Sequence, residues 1–324
     1  MSRESHEASP EALRIGVSAC LLGSEVRFNG GHKRHAFTCD KLGSIAELVS
    51  VCPEFELGLG VPRPTLRLVS EGGQVRLQEP RSGDDLTEDM QRFARERVRA
   101  LADLDLDGFV LKKDSPSCGM ERVKVYDGHG APRRSGRGLF AAELMRTLPL
   151  LPVEEEGRLS DQRLREAFIE RVFAFRRLKT MFSEPWAMSE LVAFHSFEKL
   201  LVRAYDPAAA KELGRLVAQK LFLDRAELER RYMETYMRAL SKPAKRGRQV
   251  AALLRLSGRF KTRLEATARL DIAACIEDFG AGMVPLEVPL RLLRHYAKVL
   301  GLRWLSGQSY LRAYPRPLRM RLAV

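Results

Sequence analysis

Three of the five cysteines lie where strands of a sheet are expected to end. Cys20 closes the run IGVSAC, Cys52 closes SVC, and Cys118 follows GFVL within the turn DSPSCG. Open α/β sheets collect their ligands in the crevice beside the carboxyl ends of parallel strands. The spacing therefore predicts that three thiols, distant in the sequence, meet at one site.

Small or turn-forming residues accompany these thiols, as at Gly23, Pro53 and Gly119, and they let the backbone bring a sulfur close to a bulky cofactor. Thiolates bind zinc and iron–sulfur clusters, whereas a lone cysteine at a strand end is more often a small core residue. Structural zinc sites typically have a fourth ligand and short paired spacings, which are missing here. Three thiolates on a 4Fe-4S cluster would leave one iron open, although four cysteines are the usual set, so the spacing alone leaves all three alternatives open.

The strands that carry the cysteines predict an α/β domain. Strand-like runs occur at 15–19, 50–53 and 107–112, and a helical pattern covers 85–101, as is typical of a mostly parallel sheet with flanking helices. The later segment LPLLPVEEEG has two prolines and an acidic run, which favour a linker. After it, apolar residues recur at helical spacing and strand patterns nearly vanish, which predicts an all-α domain.

The predicted organisation is a flexible N-terminus at 1–12, an α/β domain at 13–150, a linker at 151–157 and an all-α domain at 158–324. Charge follows the same division. Residues 1–150 contain 22 Lys+Arg and 22 Asp+Glu, so the whole net charge of +13 lies in the second half. A clustered excess of Lys and Arg attracts phosphate backbones, although a basic, merely well-solvated domain is the alternative.

The candidate RNA contacts are basic residues of the tract KPAKRGR and of the C-terminal region. They are Lys242, Lys245, Arg246, Arg248, Arg312, Arg316 and Arg319. Phosphate contacts require Lys and Arg, and an unpaired base can stack on a neighbouring ring such as Tyr310 or Tyr314. Aromatic residues on a helical face are more often core residues, which is the alternative for both tyrosines.

The composition indicates a cytoplasmic globular protein without membrane association. The 324 residues are 45% hydrophobic, enough for sizeable cores in two domains. The N-terminal MSRESHEASP lacks the apolar core of a signal peptide, and no apolar run approaches the ~18 residues of a membrane span. The odd number of five cysteines argues against a disulfide framework.

The stretches around the cysteines resemble the signature blocks of the thiouracil desulfurase (TudS) family. They are VSACLLG (17–23) with VRFNGGHK (26–33), VCPEFELGLGVPRP (51–64) and LKKDSPSCG (111–119). The helical half resembles the YbgA-type domain in FHSFEKLLVRAY (194–205), GMVPLEVPLRLLRHYAKVLG (282–301) and WLSGQSYLRAYP (304–315). The same order of domains is that of family members that remove sulfur from 4-thiouridine in tRNA.

The resemblance implies that Cys20, Cys52 and Cys118 hold a 4Fe-4S cluster whose open iron binds the thiocarbonyl sulfur of the substrate and is sensitive to air. A glutamate and a serine of the family map onto Glu54 and Ser115. Glu54 would be the general base for the water that attacks C4, and Ser115 would orient that water or relay a proton. The products would be uridine and sulfide. Without the resemblance, Glu54 reads as a solvated loop carboxylate and Ser115 as a turn residue.

Basic residues near the cysteines are candidates for contacts to a phosphate or to uracil edges, with exposed surface charge as the alternative. They are His32, Lys33, Arg63, Lys112 and Lys113.

Three other functions compete with a tRNA desulfidase. The same chemistry could act on free thiouracil and other small thiolated bases, with the helical domain used for other contacts. A non-enzymatic iron–sulfur sensor would need a fourth cysteine to close the cluster, for which Cys39 is the nearest candidate. A three-cysteine zinc protein is the third alternative and would be colourless, unlike a brown 4Fe-4S protein.

Overall fold

Two compact units make up the protein, with the boundary between Asp161 and Gln162. The computed structural model describes residues 13–127, 132–183, 185–219 and 223–314. The first unit is an α/β domain and the second is helical, which confirms the predicted fold class. None of the helices in the described ranges combines the length and the apolar character that crossing a membrane requires.

A parallel sheet forms the centre of the first unit. The strands of this unit are β1 (Leu13–Ser18), β2 (Ala46–Val51), β3 (Arg67–Glu71), β4 (Gln74–Gln78), β5 (Gly108–Leu111), β6 (Val123–Tyr126), β7 (Arg133–Gly136) and β8 (Val153–Glu155). The parallel sheet has the order β2-β1-β5-β8. Its two central strands are apolar because they are buried, with Ile15, Val17 and Phe109 inaccessible to solvent.

Strand β8 lies inside the segment that was predicted as a linker over 151–157. Val153–Glu155 pair in parallel with Phe109–Leu111, so this segment belongs to the first unit. Pro152 precedes the strand, and its carbonyl accepts the N–H of Phe109, so proline interrupts nothing at this edge of the sheet. The acidic run is also not solvated, because Glu155 is buried and accepts the N–H of Met120 at 2.7 Å.

A second, mixed sheet has the order β4-β3-β6-β7, and the sequence pattern did not separate it from the first. A tight turn at Gly72 and Gly73, both with positive φ, joins β3 to β4. The helices of the first unit are α1 (Pro53–Glu56), α2 (Thr87–Ala102) and α3 (Leu139–Thr147). Met90 of α2 packs into an apolar core with Leu68 and Val123 of this sheet.

The second unit is built from helices alone in its described residues. They are α4 (Gln162–Met181), α5 (Met188–Tyr205), α6 (Pro207–Ala218), α7 (Arg225–Leu240), α8 (Arg246–Ser257), α9 (Ala266–Ala281), α10 (Glu287–Val299) and α11 (Arg303–Ser306), with short 3-10 turns between. Asp206 and Asp224 cap α6 and α7 by accepting backbone N–H groups of the first turns. Tyr232 and Tyr236 of α7 are fully buried.

Candidate active site

The parallel sheet brings the three predicted thiols to one cavity. β1 ends at Ser18 and a 3-10 turn then carries Cys20, while β2 ends at Val51, directly before Cys52. Cys118 follows β5, the other neighbour of β1. All three cysteines line a cavity of about 400 Å³, as the strand-end argument predicted.

Burial keeps these thiols protonated in the absence of a bound cation. Desolvation raises the pKa of Cys20 to about 11, against the attraction of Lys112. It also raises the pKa of Cys52 and, more strongly, that of Cys118, which a hydrogen bond from Ser18 partly offsets. Metal binding requires thiolates, so a bound metal would have to supply the positive charge that stabilises them here.

The turn that carries Cys118 is fixed by hydrogen bonds to Ser115. The Ser115 Oγ accepts the N–H of Cys118 at 3.0 Å and that of Ser117 at 3.2 Å, and the Ser115 carbonyl accepts the N–H of Gly119 at 2.8 Å. Gly138 packs against this turn so closely that a Cβ atom would lie 2.4 Å from the Ser117 carbonyl oxygen. Ser115 thus lines the cavity and holds the Cys118 loop.

Glu54 projects from the short helix α1 and lines the same cavity. The Arg63 Nη2 donates to its Oε2 at 2.7 Å and the Arg63 Nε at 3.1 Å. The Ser117 Oγ donates to its Oε1 at 2.9 Å. Both carboxylate oxygens are therefore held, and Glu54 is not the solvated loop carboxylate of the alternative interpretation.

Sequence reasoning missed the roles of Arg63 and Ser117. Arg63 was a candidate for substrate contacts, but its side chain is only 4% exposed and bonds to Glu54 and to two backbone carbonyls. Ser117 is inaccessible to solvent, and the motif SPSC offered no reason to choose it over Ser115. No local spacing could have indicated these partners, because each comes from a separate loop.

Positive charge surrounds the cavity. Arg27, Lys33, Lys112 and Lys113 are among its lining residues, and the Lys112 ammonium donates to Glu156. His32, the remaining basic candidate, is exposed and is not one of those lining residues. A cavity of this charge favours an anionic ligand or a thiolate-bound group.

The donor set of the cavity, three cysteine thiols, fits an iron–sulfur cluster. Among the described residues, no group of three His, Cys, Asp or Glu side chains is close enough to hold one metal ion. In a cluster each cysteine binds a different iron, so its thiolates stand further apart than the ligands of one ion. The three cysteine sulfurs that share this cavity are the soft donors that such a cluster requires.

The two remaining cysteines lie elsewhere. Cys39 donates to the Leu21 carbonyl oxygen at 3.3 Å and does not line the cavity. Cys275 lies on α9 of the helical unit. Neither is placed as the fourth ligand that an iron–sulfur sensor would need.

The predicted RNA contacts of the helical unit are partly exposed. Residues with exposed side chains are Lys242, Lys245, Arg246, Arg248 and Arg312, whereas Arg316 and Arg319 lie outside the described residues. The Arg248 guanidinium donates to the Tyr205 carbonyl. Tyr310 is only 2% exposed and donates its hydroxyl to Gln249, so it is a core residue and not a stacking surface; Tyr314 is half-buried.

Comparison with known proteins gives separate matches for the two units. Residues 15–156 match the family model described as 2-thiouracil desulfurase, and residues 199–315 match a family of unknown function, DUF1722. The uncharacterized protein YbgA of Escherichia coli is 29% identical over 163 residues, which are 49% of this chain and 95% of that protein.

A second relative also matches part of this chain. The uncharacterized protein YbbK of Bacillus subtilis is 31% identical over 136 residues, which are 40% of this chain and 88% of that protein. A solved structure of the [4Fe-4S]-dependent thiouracil desulfidase TudS is 32% identical and covers 46% of this chain and 93% of its own, with a TM-score of 0.39. By its match to the family model and to YbbK, the chain belongs to the 2-thiouracil desulfurase family.

Proposed function

We propose that this protein is a cytoplasmic, 4Fe-4S-dependent desulfidase that converts 4-thiouridine in tRNA to uridine and releases sulfide. The observation that carries the proposal is the shared cavity of Cys20, Cys52, Cys118 and Glu54. Membership of a desulfurase family supports the reaction class. Five free cysteines accord with a reducing compartment.

Cys20, Cys52 and Cys118 would hold the cluster. When bound, a cluster with an open iron supplies a soft Lewis acid for a thiocarbonyl sulfur. The remaining chemistry belongs to the side chains of the cavity. Water replaces sulfur at C4, so one C=S bond becomes C=O, the two protons of water leave with the sulfide, and no net electron transfer is needed.

Glu54 would accept a proton from the attacking water. Arg63 and Ser117 hold its two oxygens, so the carboxylate loses no orientation entropy when the reaction begins. Positioned acid–base groups of this kind contribute roughly 10²–10⁴-fold to the rate. Ser115 would keep the Cys118 loop in place with its Oγ, and its hydroxyl hydrogen would orient the water.

The helical unit would bind the tRNA. Its support is an excess of basic residues, since residues 162–324 contain 32 Lys+Arg and 16 Asp+Glu, together with the exposed side chains of Lys242 and Lys245. Such charge binds phosphates without reading sequence.

Free thiouracil is a second candidate substrate, because the matching family model is described by 2-thiouracil. The two substrates are compared in one experiment on the anaerobically reconstituted full chain. Loss of thiocarbonyl absorbance is followed with tRNA containing 4-thiouridine and with free thiouracil. The proposal is supported if the wild type turns over the tRNA, Cys118→Ala abolishes this activity and Cys39→Ala preserves it. Turnover of free thiouracil alone removes tRNA as the substrate, and a cluster-loaded protein that turns over neither is not a desulfidase of these compounds.

A further inference from the structure

Phe28 is an exposed aromatic residue at the cavity that contains the three thiols. It is 38% exposed, and it is the one aromatic residue among the described side chains that line this cavity. The guanidinium of Arg27, which also lines the cavity, lies over the ring at 5.4 Å from its centroid. A large apolar side chain left exposed beside a cavity is typical of a ligand-binding surface.

The backbone that carries this ring is fixed although the ring is exposed. The N–H of Arg63 donates to the Phe28 carbonyl at 2.9 Å. On either side, the Arg27 N–H donates to the Gly31 carbonyl at 3.2 Å, and the Gly30 N–H donates to the Arg27 carbonyl at 2.9 Å. Gly30 has a φ of +75°, which a glycine adopts without strain. The backbone at Phe28 is therefore fixed by hydrogen bonds, while its ring is exposed.

Arg63 connects this turn to the candidate general base. Its Nη1 donates to the Val26 carbonyl at 3.0 Å, and its Nη2 donates to the Glu54 carboxylate at 2.7 Å. One buried guanidinium thus anchors both the segment of Phe28 and the carboxylate. The position of the Phe28 backbone relative to Glu54 is consequently set by the fold before any ligand binds.

We propose that Phe28 is the stacking surface for the pyrimidine ring of the thiolated substrate, an inference that rests on the desulfidase function proposed above. Every nucleobase has a π face, and aromatic side chains at nucleotide sites use it without reading the ring substituents. A base stacked on Phe28 would have its ring plane fixed beside Glu54. Such a surface would accept pyrimidines that carry sulfur at C2 or at C4.

The test compares Phe28→Leu, which keeps an apolar side chain but removes the ring, with Phe28→Trp, which keeps a π surface. Phe55→Leu is the matched control, since Phe55 is also an exposed phenylalanine of the first unit, at 49% exposure, and does not line the cavity. The full chain, reconstituted anaerobically, is assayed for KM and kcat with free thiouracil. Binding of uridine, which has no sulfur to remove, is measured by calorimetry.

Phe28→Leu is expected to raise KM for thiouracil and Kd for uridine by about tenfold, the effect of removing one stacked ring. Its iron content should stay unchanged, and Phe28→Trp and Phe55→Leu should resemble the wild type. If Phe28→Leu had the KM and Kd of the wild type, the stacking role would be overturned and the desulfidase function would be unaffected. The same conclusion would follow if Phe28→Trp bound uridine and thiouracil as weakly as Phe28→Leu. Uridine binding that depends on Phe28, without turnover of any thiopyrimidine, would instead overturn the desulfidase and keep the stacking surface. A wild-type protein that binds no uridine and turns over neither free thiouracil nor 4-thiouridine in tRNA would overturn both.

Discussion

Arg63 holds the Glu54 carboxylate from one side, with Nη2 at 2.7 Å and Nε at 3.1 Å from the same oxygen. Both donors come from one planar guanidinium, so the pair is oriented as well as attracted. The exposed fraction of the Glu54 side chain is 15% and that of Arg63 is 4%, so water screens this pair poorly. Glu54 therefore faces the cavity in one orientation.

Glu54→Gln should reduce kcat by roughly 10²–10⁴-fold, because an amide cannot take a proton from water. The amide keeps the size of the carboxylate and can still accept from Arg63, so the folded protein should keep its iron content, while the loss of the Arg63 counterion should lower the free energy of unfolding. Glu47→Gln is the control, since Glu47 is a surface carboxylate on β2 that pairs with Arg14. Sulfide release and iron content are measured on both variants. A Glu54→Gln protein with wild-type kcat would contradict the role as base.

Ser117→Ala should lower kcat by about tenfold or more, since a hydrogen bond to a charged group contributes about 1.5–3 kcal/mol. Because Glu54 keeps its hydrogen bonds to Arg63 in this variant, KM and iron content should stay unchanged. Ser115→Ala should act differently, by loosening the backbone that its Oγ holds at Cys118, and should therefore reduce iron content. Parallel kinetics and iron analysis separate the two serines. If Ser115→Ala lost activity at full iron content, its role would be in orienting water.

Cys118→Ala should prevent cluster assembly, because two thiols remain in the cavity. Alanine fits the buried position of Cys118, which is 6% exposed, so the fold should persist. Cys39→Ala removes a thiol that bonds to the Leu21 carbonyl outside the cavity and should assemble a full cluster. Iron content and visible absorbance after anaerobic reconstitution give the comparison. Equal iron in the two variants would show that Cys118 is not a ligand.

The convergence of the cysteines could be predicted from the sequence, because each follows an apolar run and parallel strands end on one side of a sheet. The hydrogen-bond partners of Glu54 could not be predicted from the sequence. Arg63 and Ser117 reach it from two loops whose paths depend on the packing of α1 and of the Cys118 turn. Spacing along the chain carries no information about such contacts.

Strand β8 shows why proline and acidic residues led to the wrong prediction of a linker over 151–157. Both features are typical of linkers, yet Pro152 precedes the strand and Glu155 finds a backbone donor in the interior. Tyr310 shows a second kind of ambiguity, since its helical periodicity fitted both a core position and an exposed stacking ring. Burial, which periodicity does not resolve, decided between them.

Removing two charges with Lys242→Gln and Lys245→Gln should weaken tRNA binding and reduce the slope of log K against log salt by about 1 to 2. The paired substitutions Arg230→Gln and Arg231→Gln are the control. They remove the same charge from α7, where Arg230 already pairs with Glu227 and Glu234. Binding is measured over a range of salt, with turnover of free thiouracil as a second readout that should not change. An equal loss of tRNA affinity in both double variants would indicate a general effect of net charge and would contradict a specific role of Lys242 and Lys245.

Glu198 should be the most costly carboxylate to neutralise in the helical unit. It is 2% exposed and accepts from Arg177 at 2.7 Å, from the Tyr236 hydroxyl and from the Ser309 hydroxyl. Glu198→Gln would leave the Arg177 charge without its counterion, which costs about 3–5 kcal/mol for a buried pair. Glu234→Gln, at an exposed pair with Arg230, should cost about 0–1 kcal/mol.

The same network makes the stability of the helical unit depend on pH. Burial acts to raise the pKa of Glu198, but the charge of Arg177 and the hydrogen bonds from Arg177, Ser309 and Tyr236 outweigh it and hold that pKa below its usual range. A carboxyl with a lowered pKa stabilises the fold above its unfolded pKa of about 4.3, and that contribution is lost as pH falls through the folded value. Both tryptophans, Trp186 and Trp304, lie in this unit, so their fluorescence reports its unfolding by urea.

The difference in unfolding free energy between wild type and Glu198→Gln should therefore be constant from pH 7 to about 5 and shrink below the unfolded pKa of about 4.3. Protonation of the wild-type carboxyl makes the two side chains alike in charge, which is why the difference falls. The Glu234→Gln control should show no comparable change, because its ion pair is exposed. A difference that stayed constant down to pH 3 would mean that the Glu198 carboxyl has the same pKa in the folded and the unfolded protein, and would contradict the lowered pKa. A difference that grew on acidification would contradict the assigned ion pair.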